Sequence, residues 1–270
     1  MDLGLEGRVA AVTGASSGIG RATALQLCAE GSSVLLIGRH EGRLKEAAEV
    51  AEGLGSGSGA GVATLALDVT VSTAGEQIMA AAEARFGALD VLVNSAGSAK
   101  WRDLQDVPDA DWRAQYELSV MAPMRAMRAA APKMADRGWG RIVNVCSIAA
   151  KQPVSAMPDY TVAKAAELAL TKLFANRYAE AGVLVNAICP GSVESEMWLK
   201  PGGLLDQSQQ LARFKSREEA LADAKSRRPI ARFADPDEIA AVITFLCSNQ
   251  ASYVSGVAWS VDGGAVPIAM

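Results

Sequence analysis

Histidine is almost absent from this sequence. The single one among 270 residues, His40, lies in the polar turn GRHEGR, where a solvated side chain is the simplest interpretation. Sites built from several histidine ligands are therefore excluded, and we expect no metal site. A Ser-His-Asp hydrolase is also disfavoured, because His40 would have to be its base.

Paired cysteines are missing as well. The four cysteines (Cys28, Cys146, Cys189 and Cys247) are widely spaced, with no C-x-x-C pair. Such spacing favours reduced, buried thiols over a disulfide framework or a zinc site. We therefore expect a cytoplasmic protein.

The chain also lacks dense basic clusters and long apolar runs. The formal net charge is −4, so no nucleic-acid partner is expected. No apolar run reaches the roughly 18 residues needed to cross a bilayer. The N-terminus carries Asp2 and Glu6, unlike a signal peptide. No membrane partner is expected.

Short Val/Ile/Leu-rich runs alternate with Ala-rich helical stretches. Continuous apolar runs indicate strands buried on both faces, as in a parallel sheet covered by helices. Strands are predicted at 8–13, 33–39, 62–69, 89–97, 140–147, 183–191 and 256–264. Helices are predicted at 18–30, 41–53, 73–86, 109–136, 158–181 and 235–249. This alternation predicts one doubly wound α/β domain over residues 1–270.

Residues 192–228 interrupt the alternation. The segment joins the sixth strand to the last helix and mixes apolar anchors with charged helical stretches. A long segment at the carboxyl edge of a parallel sheet often covers a ligand site. A substrate lid is therefore predicted over about 192–228.

The first strand runs into TGASSGIG (13–20), which opens a helix. Three glycines (Gly14, Gly18 and Gly20) can make the tight turn, admit a phosphate to backbone N–H groups and allow close helix–strand packing. The helix N-terminus then offers its dipole and free N–H groups to a pyrophosphate. The motif predicts a dinucleotide cofactor.

The end of the second strand indicates which dinucleotide binds. An acid commonly holds the 2′-hydroxyl of NAD there, but this chain has Gly38 followed by Arg39. Gly38 removes a charge that would repel a 2′-phosphate, and Arg39 can pair with that phosphate. NADP(H) is the predicted cofactor, with NAD(H) as an alternative and a merely solvated Arg39 as the simplest opposing interpretation.

Tyr160 and Lys164 lie four residues apart in PDYTVAKAAELAL (158–170), and so on one helical face. A phenol with a pKa of ~10 is a poor acid–base group at neutral pH. A nearby ammonium favours the phenolate and lowers that pKa. The pair is therefore a candidate catalytic acid and its electrostatic partner, and an ordinary amphipathic surface helix is the alternative.

Nearly the whole chain resembles the short-chain dehydrogenase/reductase family, in the subgroup of β-ketoacyl and carbonyl reductases. TGASSGIG matches the family's cofactor turn, and Tyr160-T-V-A-Lys164 matches its Y-x-x-x-K motif, 13 residues after Ser147. LDV (67–69), NSAG (94–97) and PGSVES (190–195) match its adenine-contacting, sheet and nicotinamide-loop motifs. The resemblance implies a seven-stranded parallel Rossmann sheet in the order 3-2-1-4-5-6-7, and a homotetramer or homodimer.

The resemblance also implies the roles of individual residues. Tyr160 would protonate the substrate oxygen, Ser147 would stabilise that oxygen, and Lys164 would hold the nicotinamide ribose. The implied cofactor contacts are Gly14, Ser16, Ser17, Gly18, Ile19, Gly20, Arg39, Asp68, Val69, Asn94, Ala96, Gly97, Tyr160, Lys164, Pro190, Gly191, Val193 and Ser195. The predicted activity is the NADP(H)-dependent interconversion of a ketone and a secondary alcohol, with a small-molecule carbonyl or alcohol substrate.

One position departs from the family pattern. The family commonly has a catalytic asparagine 28 residues before its serine, and Ser119 occupies that position here. A serine keeps a hydroxyl and the backbone carbonyl but loses the two amide donors. We include Ser119 as a fourth catalytic residue whose proton relay uses an altered water geometry. Alternatively, Ser119 only relaxes a long helix that is interrupted at Pro123.

The substrate is the least determined feature. Trp101, Met157, Met197 and Trp198 fall near the expected pocket and favour an apolar substrate, although each could equally serve ordinary packing. A free small carbonyl compound is preferred over a 3-oxoacyl thioester carried by acyl carrier protein or coenzyme A. A low-turnover NADPH-binding regulator is the alternative from another functional class. An epimerase or dehydratase is disfavoured, because no additional substrate domain follows residue 192.

Overall fold

Seven parallel strands form a single sheet in the computed structural model, which describes residues 2–55, 57, 59–210 and 214–267. Their order is β3-β2-β1-β4-β5-β6-β7, which confirms the order implied by the resemblance. The strands are β1 (Val9–Thr13), β2 (Ser33–Gly38), β3 (Val62–Ala66), β4 (Val91–Asn94), β5 (Gly140–Val145), β6 (Val183–Pro190) and β7 (Ala258–Val261). The order reverses between β1 and β4, and ligands of doubly wound sheets bind beside the carboxyl ends of the strands at such a point.

The central strands are buried because helices cover both faces of the sheet. All five residues of β1 and all eight of β6 are buried, as their continuous apolar sequences predict. The two edge strands are more exposed, and β3 is only partly covered. The expectation of a parallel sheet between two helical layers is confirmed.

Three helices pack on one face of the sheet, and three on the other. The first layer has α1 (Gly18–Ala29), α2 (Glu41–Gly55) and α10 (Pro236–Cys247), which contribute Leu27, Leu44 and Ile239 to one core cluster. The second layer has α3 (Ala74–Phe86), α5 (Ala122–Asp136) and α6 (Pro158–Tyr178), which contribute Ile78, Met127 and Ala175 to the other core cluster.

The stretch predicted as a helix over 109–136 is helical throughout, but it is not α-helical along its whole length. It divides into α4 (Asp109–Tyr116), a π-helical stretch (Glu117–Met121) and α5. Pro123 has no backbone N–H, so the carbonyl of Ser119 loses its α-helical partner. The N–H of Ala122 instead donates to the carbonyl of Glu117, five residues earlier. Pro123 thus alters the backbone geometry around Ser119, and π-bulges of this kind often occur at functional sites.

The segment predicted as a lid contains short helices. These are α7 (Glu196–Leu199), α8 (Leu204–Gln210) and α9 (Arg217–Ser226), while residues 211–213 lie outside the described part. Leu204, Leu205 and Ala220 are buried, and an isolated parallel bridge joins Val193 to Ala234. The segment is therefore packed onto the rest of the domain. Among the described helices, none is long and apolar enough to cross a membrane.

Candidate active site

A cavity of about 1630 Å³ opens along the carboxyl ends of the strands. Its size exceeds the roughly 300–1,000 Å³ of an ordinary small-ligand pocket, so it has room for more than one ligand. Of the residues predicted for catalysis or cofactor binding, only Asn94 and Ser119 do not line it, as far as the described residues show. The structure thus brings sequence-distant motifs to one place.

The glycine turn has no room for side chains. Gly14 and Gly18 have φ angles of +69° and +52°, in the left-handed region. A Cβ atom at Gly20 would lie 2.4 Å from the carbonyl oxygen of Gly14. Ser17 is the extended N-cap of α1, so the first N–H groups of that helix begin at the cavity wall. This arrangement fits a phosphate-bearing cofactor.

Arg39 directly follows β2 and lies exposed at the cavity wall. A Cβ atom at Gly38 would lie 3.4 Å from the Ser16 hydroxyl oxygen, so the backbone of β2 closely approaches the glycine turn. Asp68 lies near Arg39, and its pKa is lowered mainly by hydrogen bonds from the Thr70 backbone and hydroxyl, with a smaller effect of Arg39. His40, interpreted above as a solvated turn residue, is exposed and also lines the cavity.

Arg43 was not singled out from the sequence, although it belongs to the same polar turn. It lines the cavity and forms an ion pair with Glu196 of α7 at 2.8 Å. This contact joins α2 to the segment predicted as a lid. The repeated arginines of GRHEGR were the available signal.

Ser147, Tyr160 and Lys164 meet where β5 ends and α6 begins. The hydroxyl of Ser147 accepts a hydrogen bond of 3.1 Å from the Ala149 backbone, which fixes the side chain above a short 3₁₀ turn. Tyr160 lies in the first turn of α6, close enough to Ser147 for that hydroxyl to lower the pKa of the phenol. Lys164 Nζ lies 5.9 Å from the centroid of the Tyr160 ring. The predicted serine, tyrosine and lysine are therefore close together.

The pKa of Tyr160 is higher than that of a free phenol, contrary to the sequence-based expectation. Partial burial at the cavity wall has the largest effect and raises the pKa, because a phenolate is less well solvated there than in water. Lys164 and the Ser147 hydroxyl lower it, whereas Cys146 and Glu167 raise it. The expected effect of the lysine is thus present, but burial outweighs it.

A buried acid accompanies the lysine and was missed by the sequence analysis. Glu167 Oε2 lies 2.7 Å from Lys164 Nζ, and both side chains are less than 5% exposed. Lys164 Nζ also donates to the carbonyl oxygen of Val145 at 2.9 Å. The acid three residues after the lysine, within an otherwise apolar stretch, was the signal that could have identified it.

Asn94 and Ser119 are the two predicted site residues that do not line the described wall of the large cavity. Asn94 donates to the side-chain oxygen of Asn144 at 2.8 Å, between β4 and β5. Ser119 is buried in the π-helical stretch, and its hydroxyl accepts a 2.8 Å hydrogen bond from the Gln115 amide. Neither side chain is on the cavity wall in the described residues, so their functional roles stay predictions.

The far wall of the cavity combines aromatic rings with charge. Trp101, Met157, Met197 and Trp198 all line it, and the two tryptophan rings meet edge-to-face with centroids 6.3 Å apart. Arg228 is 9% exposed and donates to the Ser192 hydroxyl at 2.7 Å. No carboxylate of the described residues forms an ion pair with its guanidinium. The wall predicted to be apolar therefore also contains a buried positive charge.

Comparisons with known proteins agree with this geometry. A family model described as enoyl-(acyl carrier protein) reductase matches residues 14–266. The chain is 36% identical to 2-(S)-hydroxypropyl-CoM dehydrogenase 3 of Xanthobacter autotrophicus, over 98% of both chains. It is 34% identical to a 3-oxoacyl (acyl-carrier-protein) reductase of Thermotoga maritima, over 97% of this chain and 99% of that one.

A solved structure is similar over its full length. L-Sorbose reductase from Gluconobacter frateurii, crystallised with NADPH and L-sorbose, superposes with a TM-score of 0.90 at 34% identity, and the match covers 100% of both chains. The sequence matches to these relatives extend over nearly the whole chain, and the superposition with the solved structure covers all of it. The chain belongs to the short-chain dehydrogenase/reductase family, whose members are oxidoreductases.

Proposed function

We propose that this protein is an NADP(H)-dependent oxidoreductase that interconverts a ketone and a secondary alcohol by hydride transfer. One observation carries the proposal: Ser147, Tyr160 and Lys164 line the same cavity as the glycine turn and Arg39. The candidate acid–base residues and the proposed dinucleotide-binding turn therefore border the same cavity. Two similar solved structures, L-sorbose reductase and the bacilysin-pathway reductase YwfH, are described as NADPH complexed or NADPH dependent.

The cofactor cradle fits a phosphorylated dinucleotide. The turn around Gly14 and Gly20 would hold the pyrophosphate, because added Cβ atoms there would meet backbone atoms. Arg39 would pair with the 2′-phosphate, since Gly38 leaves no acid in competition. The loop of Pro190, Gly191, Val193 and Ser195 would support the nicotinamide end. When bound, the nicotinamide supplies or accepts the hydride.

Tyr160 is the proposed proton donor for the carbonyl oxygen. The phenol, whose pKa is raised, is protonated at neutral pH and so is in the form that can donate. Lys164 opposes the rise and thereby makes Tyr160 a better acid than burial alone would allow. Ser147 would donate a hydrogen bond to the same oxygen and stabilise its developing negative charge. The Ala149 N–H holds the serine oxygen in place for that role. Lys164 would hold the nicotinamide ribose from the next turn of α6.

A free carbonyl compound is the preferred substrate, and a 3-oxoacyl thioester is the alternative. The alternative is favoured by the acyl-carrier-protein activities named for the family model and one relative. An acyl carrier protein would need basic docking residues, but Arg125 is paired with Glu117 and Arg137 with Asp90. Both arginines, on or just after α5, are therefore engaged within the chain, whereas Arg128 of α5 is exposed and is a candidate for docking. A low-turnover NADPH-binding regulator is the third candidate function.

We propose that residues 1–270 act as one domain with a lid at about 192–228, and that two or four copies assemble. Val162 and Leu173 are exposed apolar residues on α6, at 54% and 66% exposure. A second copy of the chain covering this helix would remove them from water. Sedimentation of the purified protein would measure the number of copies.

All four cysteines are buried and free of disulfides, which fits a reducing cytoplasm.

Initial rates test the proposed activity. NADPH and NADH oxidation would be measured over ketones, diketones, keto acids and 3-oxoacyl thioesters, together with a Tyr160→Phe variant. We expect turnover with NADPH that falls at least about a hundredfold in the variant, because the proton donor is lost. Tight NADPH binding without turnover on any substrate would instead support the regulator.

A further inference from the structure

Lys164 has a buried counter-charge that the activity proposed above does not require. Its ammonium lies 2.7 Å from Glu167 Oε2 and 2.9 Å from the carbonyl oxygen of Val145. An ammonium has three N–H donors, so these contacts use two of them. Since Lys164 lines the large cavity, the remaining donor is the one available to a ligand there.

Glu167 contacts the lysine but does not line the large cavity in the described residues. It lines a separate cavity of about 10 Å³, room for a single water, together with Asn94 and Leu118. Lys164 lines the large cavity, and Glu167 is not among the described residues of that wall. Glu167 therefore touches Lys164 but would not touch a cofactor or substrate.

The charged and titratable groups around the phenol act in opposite directions. Lys164 lowers the pKa of Tyr160, whereas Cys146 at the end of β5 and Glu167 raise it. Glu167 itself faces Lys164 and the Cys146 thiol, and Cys146 in turn faces Cys189 of β6. The pKa of the Glu167 carboxyl is raised, because burial outweighs the lowering effects of the adjacent lysine and of the Cys146 thiol. A carboxylate this close to the ammonium offsets part of its field at Tyr160.

We propose that Glu167 is a positioning residue that orients Lys164 and, by offsetting its charge, keeps Tyr160 protonated, so that the site is set for carbonyl reduction. The inference rests on the proposed function, because it assigns Tyr160 as the proton donor. Reduction needs the protonated phenol and would stay constant until pH rises through its pKa. Alcohol oxidation needs the phenolate and would increase over the same range.

Glu167→Gln tests this inference, because glutamine keeps the size and an oxygen acceptor but removes the charge. The pH dependence of kcat would be measured in both directions. We expect the alkaline fall of reduction and the rise of oxidation both to move about one pH unit lower. Glu83→Gln is the matched control: Glu83 is paired with Lys133 at 2.6 Å on the exposed α3–α5 surface, so its removal leaves the profile unchanged.

Two further measurements apply if Glu167→Gln does not fold. Glu167→Asp keeps the charge, and we expect a pH profile within a few tenths of a unit of the original chain even if turnover falls. The original chain itself should show oxidation that still increases above pH 8. An oxidation plateau below that pH, or a Glu167→Gln profile identical to the original one, would overturn the inference. If no carbonyl compound is reduced at all, the proposed function fails instead, so the two failures are distinguishable.

Discussion

Arg102 Nη2 lies 2.6 Å from Asp159 Oδ2, and Asp159 immediately precedes Tyr160. Asp159 is 2% exposed, whereas Arg102 comes from the loop after β4 and also pairs with Asp111 of α4. The guanidinium thus ties two distant segments to the N-terminus of the helix that carries Tyr160. Removing one partner of such a buried pair leaves an uncompensated charge.

Arg102→Met should therefore destabilise the protein. We expect the free energy of unfolding to fall by about 3 kcal/mol, measured by chemical denaturation. Arg113→Met is the control, because Arg113 and Asp109 form an exposed pair 3.7 Å apart that should contribute less than about 0.5 kcal/mol. Equal losses in both variants would show that the Asp159 contact has no special role.

Arg39 should determine the choice between the two nicotinamide cofactors. Replacing it with alanine removes the proposed partner of the 2′-phosphate, so KM for NADPH should rise about 10- to 100-fold while KM for NADH changes little. The measurement is a pair of steady-state titrations with each cofactor. Lys45→Ala removes an exposed cation paired with Glu41 on α2 and should leave both values unchanged. A parallel loss for NADH would assign Arg39 to a feature that both cofactors share.

Ser119 should matter for stability more than for turnover. Its hydroxyl is buried, accepts a hydrogen bond from the Gln115 amide and does not line the large cavity in the described residues. Ser119→Ala leaves the Gln115 amide without this acceptor, which should cost about 1–2 kcal/mol of unfolding free energy. We expect kcat to change less than about threefold, in single-substrate assays with saturating NADPH. Ser119→Asn would raise kcat by orders of magnitude only if the serine impairs a side-chain proton relay.

Local patterns were enough to predict the sheet and most of the site. The buried strands are continuous apolar runs, and the glycine turn is a contiguous motif whose backbone geometry requires glycine at Gly14 and Gly20. Two strands were predicted to extend too far: β4 ends at Asn94 instead of residue 97, and β5 ends at Val145 instead of residue 147. The chain leaves the sheet there to present site residues, while its apolar composition continues.

Nonlocal contacts account for what the sequence analysis missed. Glu167 follows Lys164 at a spacing typical of exposed helical ion pairs, whereas in the folded chain it is buried. The lowering effect of Lys164 on the Tyr160 pKa was predicted, but the larger effect of burial was not, for the same reason. The lysine neighbour is visible in the sequence, but the burial that outweighs that neighbour is a property of the folded chain.

Arg228 should make the cavity selective for substrates that carry a negative charge. Its guanidinium is buried at the wall and, among the described side chains, has no carboxylate within ion-pair distance; Asp262 acts on it only from farther away. An anionic group in the cavity would supply a direct counter-charge. We expect kcat/KM for acetoacetate to exceed that for its neutral methyl ester, and Arg228→Met to reduce only the former, by about 10- to 100-fold. Arg228→Lys keeps the charge and should retain part of the preference. Equal losses for the acid and the ester would instead assign Arg228 to the packing of α9 against the loop at Ser192, through the hydrogen bond that joins them.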